Sequence, residues 1–229
     1  MRIAKALAQY GICSRRKAEE LIYQQRVSVN HSIIATPVYF VAAEDIISVD
    51  GKIIDSNIPQ VKIWKFFKPK AVITSTNDTK GRKTVFDLLP RSIGRVMTVG
   101  RLDYNTEGLL LLTNNGAIAR KFELPSSGYQ RKYLCRAFGR IPPDMVKRLA
   151  SGTSINGVHY RQVKMKVKSS VGNNNWSEIT LYEGKNREIR KLFSYFGLQV
   201  NRLIRISYGP YELGEMQPRA LQEIEFSKQ

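Results

Sequence analysis

Residues 100–116 read GRLDYNTEGLLLLTNNG, a polar loop bounded by glycine that runs into the apolar stretch 108–113. The leucine run reads as a buried strand, and AIARKFELP at 117–125 reads as a helix after it. Asp103 stands beside Arg101 in the loop. A rigid strand can hold such a loop up to a ligand without burying the carboxylate unpaired, which makes Asp103 a candidate catalytic residue. Taken alone, an Asp ahead of Asn and Thr is equally a turn cap, so the rest of the chain has to decide.

The 229 residues carry 37 Lys and Arg against 19 Asp and Glu, a formal charge of +18. That excess points away from small neutral metabolites and toward a polyanion. The basic residues run from Arg2 to Lys228 with no amphipathic arm, which favours nucleic acid over a membrane surface. No apolar run reaches the roughly 18 residues of a membrane span, and MRIAKALAQYG lacks the parts of a signal peptide, so a cytoplasmic protein is expected. Cys13 and Cys135 match no metal or redox spacing and are expected reduced. His31 and His159 have no ligand-spaced neighbours, which leaves zinc hydrolases and Ser-His triads without their parts. No metal or cofactor is expected.

Ile3 and Leu7 among alanines predict a helix over 3–10, interrupted by Gly11, and Ser14 is placed to cap a second helix through Ala18, Leu21 and Ile22. Val27 and Val29 alternate as a strand before the turn Asn30-His31, and Ile46 to Val49 followed by Asp50-Gly51 reads as strand and hairpin. The polar stretch IDSNIPQ, residues 54–60, reads as a linker between domains at 1–55 and 61–229. Beyond it VKIWKFFKP, Tyr133 to Ala137, Val163 to Val167 and Glu178 to Tyr182 read as strands, TVFDLLP starts a short helix at Thr84, and VGNNNWS at 171–177 reads as a mobile loop. Many strands with few helices between them predict an α+β domain on a mainly antiparallel mixed sheet, not a doubly wound parallel one.

EGKNREIRKLFSYFG, residues 183–197, predicts a helix capped by Asn186, with Ile189, Leu192, Phe193 and Phe196 on its apolar face and Gly197 as its stop. Arg190 falls at the border of that face, where an arginine is either a snorkelling surface residue or the partner of a buried carboxylate. Tyr133 opens a strand, a position open to an ordinary half-buried aromatic. In NRLIRISYGPYEL, residues 201–213, Arg202 and Arg205 alternate with apolar residues and predict a strand with one basic face. Arg15, Arg16 and Lys17 open the second helix, where their charge opposes the helix dipole at a cost of about 0.3–1 kcal/mol unless an anion compensates.

GRLDYNTEGLLLLTNNG resembles the central motif of ribosomal RNA pseudouridine synthases of the RsuA/RluB family, closest to the large-subunit branch. RKYLCRAFG, EGKNREIRKLF and NRLIRISYGPYEL match further family motifs in order, and FFKPKAVITS matches the first, with Ala71 where relatives usually have Gly. GICSRRKAEELI and RVSVN resemble an S4 RNA-binding domain of αα-β form. That match departs at His31, which stands where relatives usually place Gly and is expected to alter the turn. The resemblance covers nearly the whole chain.

It implies isomerisation of a uridine in ribosomal RNA: the N1–C1′ bond breaks, the base rotates, and C5 joins C1′. Asp103 is implied as the catalytic carboxylate, Tyr133 as a ring stacked on the uracil near C5, and Arg190 as the cation that holds Asp103 ionised. Arg15, Arg16, Lys17, Lys68, Arg101, Lys185, Arg187 and Arg202 are the expected RNA contacts, and Glu107 is expected to stabilise the loop. The expected partner is a stem-loop of large-subunit RNA, bound by a monomer. Two other readings compete: a non-catalytic S4-type RNA-binding or ribosome-assembly protein, and a metal-dependent nuclease, which would need more carboxylates near Asp103 than Glu107.

Overall fold

A computed structural model describes residues 1–76 and 78–225; residues 226–229 of the expected second domain, with Lys228, lie outside the described residues. Two compact units divide between Lys62 and Ile63, the first also taking in Gly94–Met97 and Asn114–Gly116.

The first unit holds α1 (Ile3–Gln9), α2 (Arg15–Tyr23) and a small sheet of β1 (Val27–Val29), β2 (Ser32–Ile33), β3 (Ile47–Val49) and β4 (Lys52–Ile53) in the order β2-β1-β3-β4. Ser14 Oγ accepts from the backbone N–H of Lys17 at 3.1 Å, the expected cap. Ile3, Leu7, Ala18, Ile22, Val27 and Val29 form its buried core. At the turn that carries His31, Asn30 and His31 take φ of 48° and 67°, the paired left-handed conformation of a two-residue hairpin. Histidine tolerates that region better than most residues, so the imidazole replaces glycine at a small cost. Arg26 and Asp50 clamp the unit at 2.6 Å.

The second unit is built on β5 (Ile63–Lys68), β6 (Met97–Val99), β7 (Glu107–Thr113), β8 (Arg131–Phe138), the short hairpin β9 (Thr153–Ile155) and β10 (Val158–Tyr160), β11 (Lys164–Val171), β12 (Asn174–Leu181), β13 (Gln199–Tyr208), β14 (Tyr211–Glu212) and β15 (Leu221–Ile224). Its helices are α3 (Gly116–Glu123), α4 (Met145–Ala150) and α5 (Glu188–Tyr195). The large sheet runs β11-β12-β8-β13-β7-β5-β15 and is antiparallel except where β13 meets β7. Every residue of β7 is buried, as its leucine run requires. One face of the sheet, through Cys135, Ala137, Ile179 and Leu203, packs on Met145 and Leu149 of α4 and Ile189, Leu192 and Phe193 of α5. Both cysteines are free, and burial pushes the Cys135 thiol up to about 12.

Three local expectations are corrected. VGNNNWS is a hairpin, not a loop: Val171 pairs with Asn174, leaving Gly172 and Asn173 as the turn, and Asn175 and Ser177 point inward. Asn175 is polar yet satisfied there, donating to Gly139 O at 2.6 Å. Asn186 does not cap α5; Arg187 occupies the cap in a left-handed conformation, φ 53°, and Glu188 Oε2 accepts from Lys185 N at 2.9 Å instead. Arg202 and Arg205 do not share a face of β13, because Arg202 lies opposite Arg136 and Arg205 opposite Tyr133 on β8. Three residues of separation in a strand reverse direction, so one arginine goes to each side.

Candidate active site

The loop before β7 is held by buried donors. Lys68, at the end of β5 and 0 % exposed, donates through Nζ to Pro69 O at 3.0 Å, Asp103 O at 3.1 Å and Thr106 O at 2.8 Å. Ala71 N donates to Tyr104 O at 2.9 Å, and Thr74 Oγ1 donates to Leu102 O at 2.9 Å. Ala71 keeps φ 59°, so the turn that favours glycine survives with alanine and brings this amide to the loop. Burial pulls the Lys68 ammonium down to about 8 against the opposing pull of Asp103 and Glu107. Lys68 is therefore not an RNA contact: it has no surface to offer a phosphate, and its three N–H groups are spent on carbonyls.

Behind the loop, Glu107 accepts from Arg202 Nε at 2.8 Å and lies 3.5 Å from Lys70. Burial pushes its carboxyl up, but these cations outweigh burial and hold it below its usual range. Glu107 thus stabilises the start of β7, and the neighbour a metal site would have needed is already committed.

Asp103 itself opens into a cleft of about 1060 Å³ whose lining includes Arg101, Tyr133, Arg187, Arg190, Arg205 and Tyr208. Its side chain is 30 % exposed, with the Arg187 guanidinium at 3.9 Å. The expected partner, Arg190, does not make this pair. Arg190 donates through Nη1 to Val200 O at 2.9 Å and through Nη2 to Asn105 O at 2.9 Å, so it ties α5 to β13 and to the residue two beyond Asp103. Both of its Nη atoms are engaged by carbonyls, while its buried Nε has no partner among the described residues; the left-handed turn at Arg187 brings that arginine to the carboxylate instead. Burial and the nearby Arg187 push the Arg190 pKa down, and Asp103 acts on it from across the cleft in the opposite sense.

Tyr133 is half-buried on β8 and projects from the cleft side of the sheet, opposite Arg205 on β13 and Ile179 on β12. Arg205, 3 % exposed, donates to Leu109 O at 2.7 Å and lies 4.9 Å from the ring centre of Tyr208. Arg131 covers the same ring at 4.7 Å and donates to its hydroxyl at 2.9 Å. This buried cationic wall was not among the expected site residues; its signal was the unbroken run Leu203-Ile204-Arg205-Ile206, where a charge inside an apolar strand requires a buried partner. Of the expected RNA contacts, Arg101 and Arg187 line the cleft exposed, and Arg15 and Arg16 are exposed on α2. Lys17 pairs with Glu20 at 2.9 Å, Lys185 with Glu183 at 2.6 Å, and Arg202 with Glu107, so each is already engaged.

Residues 63–195 match the family model described as RNA pseudouridylate synthase. The chain belongs to the RNA pseudouridylate synthase family. Residues 1–47 match the S4 domain. Among the relatives of this synthase, an uncharacterized RNA pseudouridine synthase of Rickettsia prowazekii is 43 % identical over 97 % of this chain and 94 % of its own. The ribosomal large subunit pseudouridine synthase B of Haemophilus influenzae is 39 % identical over 95 % of this chain and 62 % of its own. A crystal structure of a pseudouridylate synthase superposes with a TM-score of 0.69 at 21 % identity, covering 98 % of this chain and 96 % of that one, which is a likeness of fold. The synthase is thus an enzyme, and the reading as a non-catalytic binding module finds no support. No helix among the described residues is long and apolar enough to cross a membrane.

Proposed function

We propose that this synthase isomerises one uridine of ribosomal RNA, of the large subunit as in the relatives named for it, with Asp103 as the catalytic carboxylate. The observation that carries the reading is the Asp103 side chain, open to the cleft with Arg187 at 3.9 Å while Tyr133 lines the same cavity. A carboxylate that must stay ionised next to a uracil needs a cation that never releases its proton, and guanidinium meets that need. Arg187 supplies the charge; Arg190 acts as a positioning residue by fixing the loop two residues away. Tyr133 stacks on the uracil and stands near C5, whose proton leaves as N1 gains one.

Asp103 attacks the sugar at C1′, or removes the C2′ proton, or adds to the base; each accounts for a reaction that breaks N1–C1′, forms C5–C1′ and consumes nothing. The uridine must leave its stack to reach the cleft, at a cost of a few kcal/mol drawn from contacts elsewhere. Arg101 and Arg187 at the cleft and Arg15 and Arg16 in the S4 domain, residues 1–55, are the contacts that meet this cost for the catalytic domain, residues 61–229. The enzyme works as a monomer in the cytoplasm, where its substrate is made. Ribosomal RNA tritiated at uridine C5 tests the proposal, with chelator present: label is released without strand cleavage by the wild type and retained with Asp103→Asn. Retention of label by the wild type with every ribosomal RNA, or release undiminished in Asp103→Asn, overturns it.

A further inference from the structure

The large sheet has a second face, and it carries a different composition from the one lining the cleft. Cross-strand register puts Ser169, Trp176, Arg136 and Arg202 in one row of this face, Lys166, Glu178, Leu134 and Ile204 in the next, and Phe138 beside Asn174 at the strand ends. The helices α4 and α5 pack the sheet through the opposite side, the one that holds Cys135, Ile179 and Leu203. Phe138 is left 46 % exposed, and Arg136 and Lys166 are exposed. Arg136 lies over the Trp176 ring with 5.9 Å from guanidinium to ring centre. Lys168, at the bulge of β11, reaches across to Glu178 at 3.2 Å. Glu178 and Glu107 thus each neutralise cations already on this face, while Arg136 and Lys166 face solvent.

An aromatic ring, an arginine plane and uncompensated cations on a flat sheet form the combination that binds an unpaired nucleic-acid strand, since every base has a face to stack and every nucleotide a phosphate. Phe138 stands two residues from Arg136, roughly 7 Å along the strand, so a ring for a base and a cation for a phosphate lie side by side. We propose that this outer sheet face, through Trp176, Phe138, Arg136 and Lys166, binds a single-stranded RNA segment, separately from the cleft. The inference rests on the reading of the substrate as RNA and extends it: an unpaired segment flanking the target stem-loop lies along β8, β12 and β11.

The chain has two tryptophans, and Trp64 is only 6 % exposed, so quenching of tryptophan emission by a stacked base reports on Trp176. The full chain is titrated at low salt with an oligouridylate of about ten nucleotides, a length within the range such surfaces bind. Quenching is expected in the wild type, with Kd raised about tenfold or more in Arg136→Gln/Lys166→Gln and in Phe138→Ser. The slope of log affinity against log salt is expected to fall by about 0.7 for each phosphate-bound cation removed. Both charge substitutions lie outside the cleft, so release of tritium from a minimal stem-loop should be unchanged, which also establishes that the variant is folded. No quenching, quenching unaffected by the substitutions, or quenching by polyglutamate with none by the oligonucleotide overturns the inference. Failure of tritium release in the wild type with quenching intact would count against the catalytic reading alone.

Discussion

Lys68 donates to the backbone carbonyl of Asp103 at 3.1 Å from a position with no solvent exposure, so the Asp103 loop is fastened from beneath by a cation. As an ammonium it has one N–H for each of its three carbonyls. As an amine it has one too few, and its lone pair then faces an oxygen. Because the group titrates near 8 in the folded protein, kcat is expected to fall as pH rises through that value. Lys68→Met should lower kcat at every pH and abolish that limb, as a pH-rate profile will show. The effect on stability has the other sign. The folded pKa lies below the unfolded 10.5, so between about 8 and 10.5 the unfolded chain holds the extra proton and the penalty of burying the charge is relieved as pH rises.

Arg190→Lys is expected to lower activity about 10- to 100-fold although the charge is kept, since one ammonium cannot span the carbonyls of Val200 and Asn105 that a guanidinium fork reaches together. Single-turnover kinetics should place the loss in kcat. Equal activity for lysine would mean that charge alone matters here.

Glu188 is 3 % exposed, and burial, with Glu183 beside it, pushes its carboxyl up to about 7. Its Oε1 is buried without a hydrogen-bond partner among the described residues, a setting that disfavours the charged form. A folded pKa above the unfolded 4.5 favours the protonated form, so this stabilisation is complete below 4.5 and lost as pH rises through about 7. Glu188→Gln, which mimics the protonated acid, should be more stable than wild type by about 1–3 kcal/mol at pH 8 and no more stable at pH 4. Thermal melts across that range decide it.

Gly108 takes φ +100°, and a Cβ there would sit 2.3 Å from Arg205 O and 2.8 Å from Arg205 N. Backbone cannot swing aside as a long side chain can. Gly108→Ala should therefore cost about 3 kcal/mol or more in chemical denaturation. It should also depress activity by parting the strands that carry Arg205 and the Asp103 loop.

The leucines of β7, the apolar face of α5 and the Ser14 cap were legible because each follows from a local rule: burial, periodicity, a hydroxyl at a helix start. The gathering of Asp103, Tyr133 and Arg190 around one cleft was legible only through motif resemblance, since nothing local links them. Lys68 and Arg205 were misread because charge is ordinarily a surface property, and only tertiary packing reveals which cations are swallowed with their acceptors. The cap of α5 was misread as Asn186 for a related reason: a left-handed arginine at 187 breaks a backbone preference that sequence reading relies on, and tertiary contacts must hold it there. The polar hairpin at 171–177 passed for a loop because an edge of the sheet carries side chains as hydrophilic as a turn's.

The parallel contact of β13 with β7 joins Ile204 to Glu107 and Arg205 to Gly108 across nearly a hundred intervening residues. A polypeptide leaving the ribosome can shape the leucine strand early, but it cannot close the wall of the cleft until Arg205 has emerged and found its mate. Competence is then acquired late in synthesis, by a search over long chain separations that sets a slow folding rate.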